Sequence, residues 1–307
     1  MDLMDSHNNK LSKRIPSPAL RCYAVIVTFN PDINKVRSLI DILQKNFVTA
    51  VVVDNTIGAI NYPFSCHVIN LGDNLGIATA QNKGIEYCLT KQAEAIWFFD
   101  QDSVITSSFV ARFLSTVHEN PNDKIFAPVF WDEKKGFEYA ITNIDSKGNR
   151  QKLLSSSFPS DFYSSIVISS GCLIKSDLLM KIGPMLDFLF IDYVDTEWCL
   201  RAFYYGYKVH IIKNARMKHS IGDNTISLIG FNVPIHSPLR RYYRIRNAFL
   251  LIRFKHIPKK LAFREVIFCC CHQLIIILTQ EKKLAYVKYF LRAVYDGLRN
   301  KTGKFVN

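Results

Sequence analysis

Asp100 and Asp102 stand two residues apart directly after the apolar run Ala95-Ile-Trp-Phe-Phe99. An extended link and a turn at that point aim both carboxylates into one space, and two converging carboxylates suit a hard divalent cation, Mg2+ or Mn2+. Such an ion neutralises the charge that develops on a leaving diphosphate. The competing reading is an Asp/Ser cap for the helix that follows near Phe109. A second acidic group, Asp192-Tyr-Val-Asp195-Thr-Glu197, precedes Trp198-Cys-Leu-Arg-Ala202 and puts Asp195 in the first turn of a helix, whose dipole keeps it ionised. With an ordinary pKa of ~3.9, such a carboxylate accepts the proton of an attacking hydroxyl at neutral pH; the alternative is an acidic capping cluster. His219, ahead of a glycine turn at Gly222, can close a metal site with Asp102, since oxygen ligands plus one imidazole suit Mn2+.

These residues need a frame. Cys22 to Phe29 is an apolar, β-branched run suited to a strand buried on both faces. Asn30-Pro31 reads as a helix cap and first-turn proline, and Ile33, Val36, Leu39, Ile40, Leu43 and Phe47 recur at helical spacing. Further strands are expected at Ala50–Val53, Cys66–Asn70, Ala95–Phe99, around Ile125–Phe130, at Ile166–Lys175 and at Leu189–Ile191, with helices over Ile77–Lys91, Ser108–His118 and Asp195–Tyr205. Gly206 then stops a helix before an edge strand ending at Ile212. The alternation predicts a mostly parallel sheet, and in such sheets ligands bind beyond the carboxyl ends of the strands. Thr28, Asn30, Asp54, Asp100 and Asp102 are therefore candidates to line one crevice. No G-x-G-x-x-G follows the first strand, which disfavours a dinucleotide fold.

The chain has 307 residues, 49% of them apolar, enough for one large core with an appendage. Residues 1–20 read as a loose cytosolic leader, polar and without the apolar core of a secretory signal. The eight cysteines show no C-x-x-C spacing and sit mostly in apolar runs, as reduced buried thiols do. The net charge of +13 is carried by the C-terminal region, where residues 240–307 hold 16 Lys/Arg against 3 Asp/Glu. Such a segment needs an anionic partner or surface. Residues 239–300 read as helices broken at Pro258, and their apolar run Val266–Thr279 is 14 residues long, too short to cross a bilayer. Combined with flanking Lys and Arg, it has the character of an interfacial helix on an anionic membrane; packing on the catalytic domain or a homo-oligomer contact is the alternative.

Seven motifs run in order from Cys22 to Asp223: Val27-Thr-Phe-Asn30, Val52-Val-Asp54-Asn55, Asn74-Leu-Gly76 with Asn82-Lys-Gly84, Asp100-Gln-Asp102, Ser170-Gly171-Cys172, Asp195-Thr-Glu197 and His219-x-x-Gly222. Together they resemble family 2 glycosyltransferases of the GT-A fold, nearest to the bacterial rhamnosyltransferase branch. The resemblance implies a catalytic domain at 21–235, a basic helical region at 236–307, and a nucleotide-diphosphate sugar donor. It implies that Thr28, Asn30 and Asp54 contact the base and ribose, with Asn82, Lys83 and Gln101 in the same nucleotide-sugar set. Asp100 is assigned to the ribose or diphosphate side, Asp102 and His219 to the metal, and Asp195 to the acceptor hydroxyl. Many members carry an acidic pair immediately before the helix; here Val194 precedes Asp195 and Asp192 lies three residues upstream, so Asp192 is the alternative base.

The implied reaction is a single displacement with inversion. Phe98-Phe-Asp-Gln-Asp102, Phe190-Ile-Asp192-Tyr-Val-Asp195 and the later Tyr242-Tyr-x-x-Arg-Asn247 resemble the rhamnosyltransferase branch, which implies dTDP-L-rhamnose as donor, with a UDP- or GDP-sugar as the alternative. Arg240, Arg241, Tyr243 and Arg244 are expected to meet the diphosphate of the donor or of a polyprenyl-linked saccharide acceptor, or else to form a solvated face. The interfacial character of the C-terminal helices predicts peripheral attachment to the cytoplasmic face of the inner membrane, consistent with a polyprenyl-linked acceptor in surface-polysaccharide synthesis. Two readings of other classes compete. A haloacid-dehalogenase-like phosphatase would use Asp100 as nucleophile, but that family carries its aspartate near the chain start. A nucleic-acid-binding module would use Arg-Tyr-Tyr-Arg-Ile-Arg as charge plus stacking rings, but then the carboxylates of residues 22–223 have no task, so no nucleic-acid partner is expected.

Overall fold

The computed structural model describes residues 20–58, 60–132, 136–218, 225–228 and 231–306, the segments 225–228 and 231–234 by their backbone alone. The chain begins with β1 (Cys22–Thr28), α1 (Ile33–Lys45), β2 (Thr49–Asp54), β3 (His67–Asn70), α2 (Ile77–Thr90), β4 (Ala95–Asp100), α3 (Ser107–Glu119) and β5 (Ile125–Asp132). Short strands β6 (Phe137–Glu138), β7 (Ile141–Ile144), β8 (Arg150–Leu153), β9 (Phe162–Ser164) and β10 (Leu173–Lys175) lead to α4 (Ser176–Ile182) and α5 (Val194–Tyr204). β11 (Val209–Lys218), a hairpin of β12 (Thr225–Leu228) and β13 (Phe231–Pro234), and helices α6 (Pro238–Leu251), α7 (Lys259–Thr279) and α8 (Lys283–Leu298) complete it.

The main sheet runs β3-β2-β1-β4-β10-β5-β11-β9. Its first four strands are parallel, and β10 is inserted antiparallel between β4 and β5. Alternate side chains of β1 serve two cores: Val25 and Val27 pack with Ala78 and Ile85 of α2, while Ala24 and Ile26 pack with Leu39 of α1 and Phe113 of α3. Gly84 explains one motif glycine. A Cβ there would lie 2.4 Å from Val25 Cγ1, so only glycine lets α2 seat this closely on β1.

Several expectations are corrected. The cap of α1 is Asp32, whose carboxylate accepts from the Asn34 and Lys35 amides, and Asn30 instead takes a left-handed φ of +47°. The expected strand Ile166–Lys175 shrinks to Leu173–Lys175, because the preceding polar groups turn into the crevice instead of joining the ladder. Leu189–Ile191 is no strand; Asp187–Leu189 is one 3-10 turn. β11 is interior, not an edge, since β9 pairs on its outer side. All eight cysteines are free, and burial pushes the thiols of Cys88 and Cys199 up to about 12.

Helix α7 also differs from expectation. It starts right after Pro258 and runs 21 residues, so by length and composition it can cross a membrane, which the 14-residue apolar run had excluded. Its Leu261, Ala262, Cys269, Gln273 and Ile276 are buried, whereas Phe263, Ile267, Phe268, Leu274 and Leu278 are exposed. Helix α6 is the buried one of the three. Tyr242, Tyr243, Ile245 and Ala248 pack with Phe190, and Leu251 packs with Leu200 of α5, which welds the C-terminal helices to the sheet domain.

Candidate active site

The carboxyl ends of β1 and β2 meet in a polar cluster. The Thr28 hydroxyl donates to Asp54 Oδ1 at 3.2 Å and lies 2.8 Å from the Tyr62 hydroxyl. Asp54 Oδ1 also accepts from the Thr56 amide at 3.1 Å, while Asp54 Oδ2 is buried with no hydrogen-bond partner among the described residues. Burial pushes the Tyr62 phenol up to about 12, and the Asp54 charge adds to it. The Asn30 amide donates to Thr56 Oγ1 at 2.8 Å. Gln101 clamps the end of β1, accepting from the Phe29 amide at 2.6 Å and donating to its carbonyl at 3.2 Å. Asn55 Oδ1 accepts from the Leu75 amide and Asn55 Nδ2 donates to Asn74 Oδ1, which fixes the turn leading to α2.

At the end of β4, the amide of Asp100 donates to Ser103 Oγ at 3.1 Å, and Ser103 Oγ lies 2.9 Å from Ser170 Oγ. The cap of α3 is Thr106, whose hydroxyl accepts from the Phe109 amide at 3.1 Å. Asp100 and Asp102 are thus not spent on capping that helix. Burial pushes Asp100 up to about 6, the charge of Asp102 adds to the rise, and Ser170 and Arg240 oppose it. Asp195 Oδ2 accepts from the Ser169 amide at 3.1 Å, yet burial pushes this carboxyl up to about 6 as well, with Asp100 and Asp192 adding to the rise. Desolvation here outweighs the helix dipole. Arg244 Nη1 lies 3.4 Å from Asp192 Oδ1 and Arg240 Nε 3.5 Å from Asp192 Oδ2. Four carboxylates from β4, the Asp192 turn and α5 therefore share one electrostatic neighbourhood with two arginines of α6.

A family model described as "Glycosyl transferase family 2" matches residues 25–183. The chain is also 47% identical, over 289 residues that make up 92% of it and 96% of the relative, to a dTDP-rhamnosyl transferase RfbF of Shigella flexneri. The chain belongs to glycosyl transferase family 2. Among solved structures, S. aureus TarS 1-349 in complex with UDP-GlcNAc matches with a TM-score of 0.54 at 13% identity, over 92% of this chain and 81% of that one. GalNAc-T7 with UDP, GalNAc and Mn2+ matches with a TM-score of 0.54 at 12% identity, over 86% of this chain and 58% of that one, so this chain spans a little over half of GalNAc-T7. The fold is the GT-A type, a mostly parallel sheet flanked by helices with a C-terminal helical extension.

Not every candidate of this family 2 transferase reaches the crevice. Both ends of the Asn82 amide are engaged by the backbone of Met185, at 2.9 and 3.0 Å, and Lys83 pairs with Glu86 on the exposed side of α2. Arg241 is buried and donates to Gln273 Oε1 and the Cys269 carbonyl of α7. Tyr243 stacks on Phe190 with ring centroids 4.5 Å apart and accepts from the Phe305 amide. Tyr242 and Tyr243 are both buried, which leaves neither as an open stacking platform for nucleobases. Glu197 is fully buried and forms a structural ion pair with Arg201, with His256 Nε2 2.8 Å from its Oε1.

Tyr62 and Thr56 carry no motif signal in the sequence, and neither does His236, a half-buried imidazole held down at about 4 by burial and by Arg240. His219 lies outside the described residues. The backbone bridge of Val104 with Lys218 nevertheless brings the residue before it alongside the segment just after Asp102.

Among the described residues no three His, Cys, Asp or Glu side chains gather as a complete ion cage. The donor set still fits a hard divalent cation. Burial first, and then the charge of Asp102, raise Asp100, so a cation held by the pair would relieve the cost of keeping Asp100 ionised. Mg2+ and Mn2+ sites in phosphate chemistry commonly rest on one or two carboxylates and take the remaining ligands from phosphate and water.

Proposed function

We propose that this chain transfers L-rhamnose from dTDP-L-rhamnose, with inversion, to a saccharide or polyprenyl-diphosphate-linked acceptor. The observation that carries the donor is the 47% identity to a dTDP-rhamnosyl transferase over 92% of the chain. Thr28, Asp54 and Tyr62 line the nucleotide end, and the buried, unpartnered Asp54 Oδ2 suits a hydroxyl or N–H donor of the ligand.

Asp195 is the base. Its carboxyl, raised to about 6, is mostly ionised at neutral pH yet basic enough to take a proton, whereas Asp192 is pinned between Arg240 and Arg244. The acceptor oxygen bonds to the anomeric carbon, the bond from that carbon to the diphosphate oxygen breaks, and the hydroxyl proton passes to Asp195 and then to solvent. Asp102, with Asp100 and His219, would hold Mg2+ or Mn2+, which neutralises charge on the departing diphosphate. Arg240 and Arg244 face the same charge from α6.

Titration calorimetry with dTDP, UDP and GDP, each with Mn2+ and with EDTA, tests the donor. Binding is expected to favour dTDP and to weaken in EDTA. A preference for UDP keeps the family and removes rhamnose, and no nucleotide binding under any condition overturns the reading.

The exposed stripe of α7, together with Leu284, Leu291 and Leu298 on α8, supports peripheral attachment to the cytoplasmic face of the inner membrane. The surrounding Lys and Arg residues add attraction to anionic headgroups. In vesicle flotation at low salt the protein is expected to rise with anionic but not zwitterionic vesicles, and Leu274→Asp with Leu278→Asp is expected to keep it at the bottom. Wild-type protein that stays down and runs as a dimer by light scattering assigns the stripe to a second copy instead.

A further inference from the structure

The turn ahead of Asp195 is built against backbone preference. Phe190, Asp192 and Tyr193 have φ of +67°, +63° and +63°, and no glycine is among them. Left-handed aromatic residues persist only where the surroundings over-determine them. What holds this turn comes from the C-terminal region. The amide nitrogen of Asn247, fully buried on α6, lies 2.9, 2.8 and 3.0 Å from the carbonyls of Leu189, Ile191 and Asp192. Its Oδ1 accepts from Arg246 Nε at 3.0 Å and Nη2 at 2.8 Å, which fixes the amide with its N–H groups toward the turn.

The guanidinium of Arg246, also fully buried, donates from Nη2 to the carbonyls of Leu189 and Phe188 and from Nη1 to the carbonyl of Gly303. The tail then closes on the same place. The Gly303 amide donates to the Phe188 carbonyl at 2.7 Å, the Phe305 amide donates to the Tyr243 hydroxyl, and Lys304 pairs with Asp73, next to the Asn74 turn of the nucleotide side. Phe190 in turn touches that side: a Cβ on Gly76 would lie 2.6 Å from its carbonyl oxygen.

We propose that Arg246, Asn247 and the tail at Gly303–Phe305 form a clamp that imposes the left-handed turn and so sets the position of Asp192 and Asp195 against the nucleotide site. They are positioning residues for transfer. The inference rests on the reading of Asp195 as base for its effect on rate, but the clamp itself is visible without it.

The test uses Asn247→Asp, which keeps the shape and removes both N–H donors, and Gly303→Pro, which removes the tail amide and, because proline holds φ at about −65° where Gly303 has +80°, also shifts the tail away from Arg246 and Phe188. Amide hydrogen exchange, nucleotide binding, kcat and the KM for each substrate are measured. Exchange at residues 187–195 is expected to rise on the order of tenfold or more while β2 stays protected. Nucleotide binding and donor KM are expected to hold while kcat falls on the order of 10²-fold in Asn247→Asp and less in Gly303→Pro, since small misplacement of a reacting group is enough.

Unchanged exchange at 187–195 in both variants overturns the clamp, and so does exchange that rises equally in β2 with nucleotide binding lost. If Asn247→Asp does not fold, Gly303→Pro decides alone. If wild-type protein transfers no sugar, the proposed function fails while the exchange result still judges the clamp.

Discussion

Asp195→Asn is expected to lower kcat by ~10²–10⁴-fold, the usual weight of a general base, while nucleotide binding is kept. The side chain stays the same size, and its oxygen can still accept from the Ser169 amide, so the loss is that of the proton acceptor and not of the turn. The wild-type enzyme should show an acid limb. Burial, with the Asp100 and Asp192 charges, raises Asp195 to about 6, and the base works only when deprotonated, so the rate falls about tenfold per pH unit once pH drops below that value. Any rate left in Asp195→Asn should lack that dependence. Initial rates of acceptor-dependent dTDP release from about pH 5 to about pH 8 measure both. Asp192→Asn should cost less, since that carboxylate is taken up by Arg240 and Arg244; a larger loss there than at Asp195 would exchange the two roles.

The crevice was legible because its strands are buried on both faces. Cys22–Thr28, Ala50–Val53 and Ala95–Phe99 are near-continuous apolar runs, and each ends in the polar residues that line the site. Thr28, Asn30, Asp54, Asp100 and Asp102 follow as candidates from position alone, whereas Gln101 comes only from the family resemblance. The basic run of α6 did not read correctly, because a sequence of Arg and Tyr with no polar face hides which side turns inward. Arg241 and Arg246 are buried against helix and turn, while Arg240 and Arg244, one helical turn apart, reach Asp192. The turn at Phe190–Tyr193 was equally hidden, since left-handed backbone is usually announced by glycine and here is imposed by Asn247 from 55 residues away or more. Asn82 looked like a ligand-binding residue by motif, yet its amide matches the Met185 backbone at both ends. Helix α7 is longer than its apolar run because the charged first two turns, Lys259 to Glu265, are helical too.

The second large effect is expected at Asp102. Asp102→Ala should abolish the cation dependence of transfer and lower its rate on the order of 10²–10³-fold, as loss of a preorganised charge partner does. The stability of the same site gives a test that does not need the acceptor. Asp100 has a folded-state pKa raised to about 6, chiefly by burial and then by Asp102, against ~3.9 when unfolded. A raised carboxyl costs stability above its folded pKa, where it must ionise in place. That cost shrinks as pH falls from 6 and is gone below ~4, where both states are protonated.

Asp100→Asn should therefore raise the melting temperature at pH ~7.5, with the gain fading through pH 6 and vanishing near 4. Mn2+ should raise the melting temperature of wild-type protein at the higher pH by binding the folded state alone, and do so less in Asp102→Ala. Both changes relieve the same cost of a buried, ionised Asp100, so Mn2+ and Asp100→Asn should stabilise by less together than the sum of their separate effects. Fully additive gains would mean that the ion binds away from Asp100, and the diphosphate would then have to be held by Arg240 and Arg244 without it.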